Sequence, residues 1–162
     1  IFFRAMALSA TEEQALNAKI AHLRAKLDED RDDKLLRHQL AVALSDMGTQ
    51  LKVTGHLECA KERYDESMSF DERYPDVHYN LAVLFGEQGE IDKAESYYEK
   101  ALQCFPFYSD AHCNLGVIKK QRGDLLGAKW HYEQALQFKP GFELVKRNLA
   151  IVLSDLGTQV KT

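Results

Sequence analysis

Apolar residues recur along the chain at the spacing of amphipathic α-helices. Between residues 9 and 28, Leu16, Ile20, Leu23 and Leu27 fall at intervals of 4, 3 and 4, which places them on one helix face. The acidic run at 28–33 then interrupts the pattern, and we interpret it as a solvated loop rather than an acidic docking tail. No strand, glycine-rich loop and helix follow one another anywhere, so the sequence offers no candidate nucleotide site.

The pattern then repeats at a fixed interval. Residues 76–82 align with 110–116, and Gly89 aligns with Gly123 at the same offset. Further aligned pairs are Tyr98 with Tyr132, Ala101 with Ala135 and Pro106 with Pro140. A fixed period of about 34 residues predicts a solenoid of stacked helix pairs rather than a globule around one core.

The repeat resembles the tetratricopeptide repeat, in which small and bulky residues alternate between two helices and a proline closes the unit. The matching positions are His78, Leu81, Ala82, Phe85, Ala94, Tyr98, Ala101 and Pro106, and again His112, Leu115, Gly116, Lys119, Ala128, Tyr132, Ala135 and Pro140. The two histidines replace an aromatic residue, and we interpret them as core residues rather than metal ligands. The resemblance implies an all-α fold, a right-handed superhelix of antiparallel helix pairs.

On this basis we divide the chain into five segments. They are an N-terminal segment with a capping or degenerate helix (1–33), a long repeat (34–74), two regular repeats (75–108 and 109–142), and the first helix of a further repeat (143–162).

The long repeat contains seven extra residues. Leu40 precedes Gly55 by fifteen positions, whereas Leu81 precedes Gly89 by eight. Seven residues are about two helical turns, so the insertion can lengthen the first helix without changing its apolar face. We place the insertion at 48–54 and predict one extended helix.

Composition and charge exclude several classes of function. The net charge is −4, which disfavours nucleic acid as a partner. No apolar window is long enough for a transmembrane helix, so we expect no membrane association. The three cysteines lack a C-x-x-C pair, which is typical of a reduced protein of the cytoplasm or nucleus. We expect no metal and no cofactor.

A longer motif points to one family of repeat proteins. The pattern Leu-Ser-Asp-x-Gly-Thr-Gln-x-Lys occurs at 44–52 and again at 153–161. With Asn-Leu-Ala at 80–82 and 148–150, it resembles the N-terminal repeats of SPINDLY-type protein O-glycosyltransferases. The resemblance implies repeats that select protein substrates for a catalytic domain, which uses a GDP-fucose or UDP-N-acetylglucosamine donor. That domain is not among these residues, so we expect this chain alone not to be an enzyme. The alternative is a non-enzymatic adaptor or oligomerisation scaffold.

The same resemblance implies a peptide-binding site. In the related O-GlcNAc transferases, an asparagine at the sixth position of each first helix grips the backbone of an extended peptide. That position reads Gln39, Asn80, Asn114 and Asn148 here, and a side-chain amide can pair with a peptide N–H and C=O together. Beside it we place Tyr79, Arg147, Val83 and Val117. The alternative is that the asparagines brace neighbouring helices.

Two further expectations concern partners. We call the series Gln39, Asn80, Asn114 and Asn148 the ladder. The residues one position before it are His38, Tyr79, Cys113 and Arg147. None of them is the lysine with which another repeat subclass clamps the C-terminal carboxylate of chaperones. The last helix, unpaired in this chain, is expected to expose Leu149, Val152, Leu153, Leu156 and Val160, and a homodimer through 143–162 would cover them.

Overall fold

The computed structural model describes residues 10–159, which form eight α-helices and contain no strand. The helices are α1 (Ala10–Glu29), α2 (Lys34–Val53), α3 (Leu57–Phe70), α4 (Pro75–Glu87), α5 (Ile91–Cys104), α6 (Ser109–Gln121), α7 (Leu125–Phe138) and α8 (Glu143–Gln159). Within these residues, no helix is long and apolar enough to cross a membrane.

Glycine turns join the helices into antiparallel pairs. Gly55, Gly89 and Gly123 have φ values of 86°, 79° and 80°, in the left-handed region that favours glycine. They join α2 to α3, α4 to α5 and α6 to α7, and each pair packs on the next. Helix α1 packs on α2 and α8 packs on α7, so the expected α-solenoid is confirmed.

In the helix pairs, a buried tyrosine of the second helix packs against a small residue of the first helix. A Cβ atom added to Gly48 would lie 2.6 Å from the Tyr64 ring, and one added to Gly116 would lie 2.5 Å from the Tyr132 ring. Both tyrosines are fully buried. The close approach of the helices therefore depends on the missing side chain, as ridge-and-groove packing requires.

This packing corrects the position of the seven extra residues. Helix α2 is continuous and has 20 residues against 13 in α4, so the extended helix is present. However, Gly48 precedes Tyr64 by sixteen positions, the same separation as between Gly116 and Tyr132. The stretch from residue 41 onwards is thus in the regular register of the repeats. The additional turns lie at the N-terminal end, residues 34–40, and not at 48–54.

The N-terminal end of α2 meets α1. Ile20, Leu23 and Leu27 are buried in one cluster with Leu40, Leu44 and Met47, which confirms the predicted face of the first helix. Asp33 caps α2, because its carboxylate accepts hydrogen bonds from the backbone N–H groups of Leu35 (2.8 Å) and Leu36 (3.0 Å).

Lys119 occupies a position at which the repeat has a bulky residue, and it forms an ion pair there. Its Nζ lies 2.8 Å from a carboxylate oxygen of the buried Glu95, which also contacts Arg122. The departure from the repeat pattern is therefore compensated by an ion pair between α5 and α6.

The apolar face of α8 is more covered than the sequence suggested. Val145 and Val152 are fully buried and Leu149 and Leu156 partly buried, all within the cluster that includes Tyr132. The predicted exposure of Val152 is wrong, because α8 lays this face on α7. Residues that remain about half exposed are Leu144, Ile151 and Leu153, whereas Val160 lies outside the described residues.

Candidate functional site

The first helices of the pairs are linked by hydrogen bonds from the predicted asparagines. Asn80 on α4 donates from Nδ2 to Oγ of Ser45 on α2, at 3.1 Å. Asn114 on α6 donates from Nδ2 to the hydroxyl of Tyr79 on α4, at 3.3 Å. We call the surface formed here by α2, α4, α6 and α8 the first-helix face.

Two of the asparagines also lie beside a core tyrosine. The amide of Asn114 interacts with the hydroxyl of Tyr98 and lowers its pKa, and the amide of Asn148 acts in the same way on Tyr132. Burial raises the pKa of Tyr132 to about 12, and the interaction with Asn148 opposes that rise. The asparagines therefore brace helices, as the alternative interpretation expected. Asn80, Asn114 and Asn148 are all partly exposed, so bracing leaves amide surface open to a ligand.

The structure brings Asp46, and not Gln39, into the position equivalent to Asn80. The two bonds described above span 35 residues each, which places Ser45 in the position that Tyr79 occupies one repeat later. Asp46 is consequently the residue in ladder register on α2. Gln39 is exposed on the N-terminal extension, about two helical turns away.

Carboxylates and tyrosine hydroxyls form the polar part of the face. Asp76 accepts a hydrogen bond from the hydroxyl of Tyr74 (3.1 Å), and it also interacts with the hydroxyl of Tyr108. The Tyr108 ring stacks on Tyr79 with centroids 4.9 Å apart. Burial first, and then interaction with Asp76, raise the pKa values of Tyr74 and Tyr108, so both hydroxyls remain neutral donors.

The electrostatics of the face are acidic towards its N-terminal end. Partial burial raises the pKa of Asp46, the negative charge of Asp76 raises it further, and Lys19 on α1 opposes the rise. Asp110, at the position equivalent to Asp76, lies 3.5 Å from Nζ of Lys139. Two of these three carboxylates thus have no ion pair among the described residues.

The predicted apolar positions lie beside the asparagines. Val83 and Val117 are partly buried against the core. A small cavity of about 150 Å³ opens beside Asn114 and Val117, with Tyr98, Ile118 and Gln121 among its lining residues. Arg147 is exposed on α8, one residue before Asn148.

Asp46, Asp76 and Tyr108 are the residues of this face that the sequence argument missed. Asp46 lies one repeat period before Asn80, so the repeat period alone could have identified it as the equivalent residue. Among residues 10–159, no group of three or more His, Cys, Asp or Glu side chains could hold a metal ion.

Comparison with known families identifies the repeats. Tetratricopeptide repeat models match residues 75–108 and 97–129. Among solved structures, the first tetratricopeptide domain of Spaghetti (RPAP3) bound to the HSP90 peptide SRMEEVD superposes with a TM-score of 0.68 at 23% identity, covering 74% of this chain and 95% of that one. MamA superposes with a TM-score of 0.66 at 18% identity, covering 94% and 87%. These likenesses show the fold.

Sequence similarity to curated proteins is shorter and more specific. A segment of 53 residues is 40% identical to the probable UDP-N-acetylglucosamine–peptide N-acetylglucosaminyltransferase SPINDLY of Hordeum vulgare. A segment of 59 residues is 46% identical to the SPINDLY of Arabidopsis thaliana. The matches cover 33% and 36% of this chain and about 6% of the length of each relative. Residues 75–129 therefore match the tetratricopeptide repeat, and the chain resembles SPINDLY over about a third of its length.

Proposed function

We propose that this chain is a protein-interaction module that binds an extended peptide along its first-helix face, taken as the concave side of the solenoid. The observation that carries the proposal is the repetition of a partly exposed amide at Asn80, Asn114 and Asn148. Hydrogen bonds to Ser45 and Tyr79 fix the first two, and the third lies beside the Tyr132 hydroxyl. A fixed amide can pair with a peptide N–H and C=O without ordering itself on binding.

The cavity beside Asn114 adds a place for a side chain. Its volume of about 150 Å³ and its mixed lining, with Val117 and Tyr98 next to the amide, suit an apolar side chain of a bound peptide. Backbone pairing would then supply affinity, and this cavity would supply a modest side-chain preference.

The charges on the face argue against acidic peptides. A peptide as acidic as the HSP90 peptide SRMEEVD would bring carboxylates to a face on which Asp46 and Asp76 have no ion pair among the described residues. Like charges at an interface repel and lower both affinity and association rate. We therefore expect weak binding of acidic C-terminal tails, and this favours other peptide partners over a chaperone-tail adaptor.

The parent protein that we propose is a SPINDLY-like O-glycosyltransferase of the cytoplasm or nucleus, whose repeats would present protein substrates to a catalytic domain. The short matches at 40% and 46% identity support it. The rival is an adaptor or an oligomerisation scaffold. Homodimerisation through α8 would cover Leu144, Ile151 and Leu153. Light scattering at increasing concentration tests the homodimer, and a monomer throughout would reject it.

The decisive experiment for the face is binding of an immobilised library of extended peptides. The triple variant Asn80→Ala, Asn114→Ala, Asn148→Ala should lose binding while circular dichroism shows that its helices persist. Because these asparagines also brace helices, Val117→Phe serves as a second variant, which fills the cavity and leaves the amides in place. Loss of binding in both variants supports the proposal. Equal binding by wild type and both variants would show that the asparagines only brace the fold.

A further inference from the structure

A second groove lies outside the first-helix face, between the second helices α3 and α5. It has a volume of about 900 Å³ and is open to solvent on one side. The residues that line it are Arg37, Asp65, Met68, Ser69, Phe70, Glu72, Arg73, His78, Tyr97, Lys100, Gln103 and Cys104. We call it the α3–α5 groove.

The equivalent location one repeat later contains aromatic rings. Phe107 and Phe138 stand one repeat period after Arg73 and Cys104, and their ring centroids lie 5.1 Å apart in an edge-to-face contact. The solenoid therefore accepts aromatic rings in this region. We call each such region between successive second helices a junction. The junction at the α3–α5 groove has Arg73 and the small thiol of Cys104 in place of the two rings.

His78, at the base of the α3–α5 groove, lacks a hydrogen bond that its counterpart makes. Its Nε2 lies 2.7 Å from the carbonyl oxygen of Glu72, so Nε2 carries the proton and Nδ1 is an acceptor. The residue is 5% exposed, and Nδ1 has no partner among the described residues. In the next repeat, Nδ1 of His112 lies 3.1 Å from Nδ1 of His131, whereas Tyr97 occupies the position of His131 here. A buried acceptor without a donor is unfavourable, and an occupant that supplies a donor removes that cost.

The charges of the groove favour an anionic occupant. Nζ of Lys100 lies 4.5 Å from the Tyr97 ring centroid, and neither Lys100 nor Arg73 forms an ion pair among the described residues. Of the two carboxylates in the lining, Asp65 is paired with Lys61 at 2.9 Å. Arg37 likewise has no carboxylate partner in the part of the chain that the structure describes, and bonds only the backbone carbonyls of Ser69 and Phe70. Three cations without carboxylate partners therefore outnumber the one remaining carboxylate, Glu72.

We propose that the α3–α5 groove binds a segment of a partner protein in which an aromatic side chain is flanked by acidic residues. The aromatic ring would occupy the region that Phe107 and Phe138 fill at the next junction. The acidic side chains would pair with Arg73 and Lys100, and a donor of the segment would reach Nδ1 of His78. This site is separate from the first-helix face. It prefers an acidic partner, whereas the first-helix face disfavours one.

The test uses a fluorescein-labelled peptide, Gly-Glu-Asp-Phe-Glu-Asp-Gly, with fluorescence anisotropy as the readout. The double variant Arg73→Phe, Cys104→Phe copies the next junction into this one and should weaken binding by at least about tenfold. The variant Lys100→Glu keeps the groove open and should weaken binding several-fold. The control is Lys146→Glu, the same charge reversal at an exposed residue of α8 outside the groove, which should bind the peptide like wild type.

Two peptide controls separate the parts of the proposal. Replacing Phe by Ala in the peptide should weaken binding, because the contribution of the ring is lost. Replacing the four acidic residues by lysine should abolish binding. The His78 imidazole resonances in an NMR spectrum should shift when the acidic peptide is added. Absence of binding up to about 1 mM peptide would overturn the proposal. So would equal binding by wild type and Lys100→Glu, which does not depend on how well the filled variant folds.

Discussion

The two histidines of the α6–α7 pair should make this protein sensitive to mild acid. His112 donates from Nε2 to the carbonyl of Pro106 (3.2 Å), and its Nδ1 lies 3.1 Å from Nδ1 of His131. Burial first, and then the proximity of His112, lower the pKa of His131 to about 4. Burial likewise lowers the pKa of His112. Both rings are therefore neutral at pH 7.

The magnitude follows from proton linkage. In the unfolded chain His131 has a pKa of about 6.5, so the folded state binds fewer protons between pH 6.5 and pH 4. The stability associated with a neutral His131 is complete above pH 6.5 and is lost as the pH falls towards 4. Between pH 7 and pH 5 the loss amounts to about 1 to 2 kcal/mol, the lower figure allowing for the partial solvent exposure of the ring.

The variant His131→Tyr isolates this effect, because tyrosine is the residue at the equivalent position, Tyr97. It removes the titrating group and one hydrogen bond, which should lower stability at pH 7 by about 1 kcal/mol. Urea denaturation of wild type and variant at several pH values from 7 to 5 gives the free energy of unfolding of each as a function of pH. As the pH falls, this free energy should decrease more steeply for wild type than for the variant. Parallel slopes would refute the claim that the fold holds His131 neutral.

Three smaller predictions concern stability at neutral pH. Asp33→Ala should cost about 1 kcal/mol because it removes the cap of α2, whereas the neighbouring Asp32→Ala should change little; equal effects on the urea midpoint would reject the cap. Ser67→Ala should cost about 1 kcal/mol, because its hydroxyl donates a buried 2.7 Å hydrogen bond to a carbonyl of α2, and an unchanged midpoint would contradict this. Gly116→Ala should destabilise by about 1 to 2 kcal/mol, since the new Cβ would lie 2.5 Å from a buried tyrosine ring. The control Gly86→Ala, whose Cβ would have its nearest neighbour at 3.8 Å, should be neutral or stabilising. If thermal melts show the reverse order of stability, the tyrosine ring moves freely.

The sequence predicted the helix pairs well because their determinants are local. A glycine at each turn and a small residue opposite each tyrosine recur at a fixed offset, and each acts within one pair of helices. The register of α2 was not predicted correctly because Leu40-Ala41 and Met47-Gly48 lie seven positions apart on one helix face. Both pairs fit the repeat pattern, and the contact between Gly48 and Tyr64 and the Asn80–Ser45 hydrogen bond decide between them.

Contacts between side chains that are distant in sequence were not predictable in the same way. The His112–His131 contact depends on how α7 lies against α6, and the burial of Val152 depends on how α8 lies on α7. The period places each residue in its repeat but does not give the identity of its neighbour across the stack. Sites built from such neighbours, including the open α3–α5 groove, therefore emerge only from the structure.

The register of α2 can itself be tested by stability measurements. In the structure the side chain of Asp46 lies near Asp76, and burial together with that charge raises its pKa, so ionisation of Asp46 opposes folding at neutral pH. Asp46→Asn should therefore stabilise the protein at pH 7 by about 0.5 kcal/mol, the scale of exposed charge interactions, and the gain should vanish below the pKa of the carboxyl group. Gln39→Asn is the control, because Gln39 is exposed about two turns away. It should give no gain in stability and should cost a few tenths of a kcal/mol, because asparagine has a lower helix propensity than glutamine. Urea midpoints at pH 7 and pH 3 measure both variants. A gain with Gln39→Asn and none with Asp46→Asn would place Gln39 in the ladder register after all.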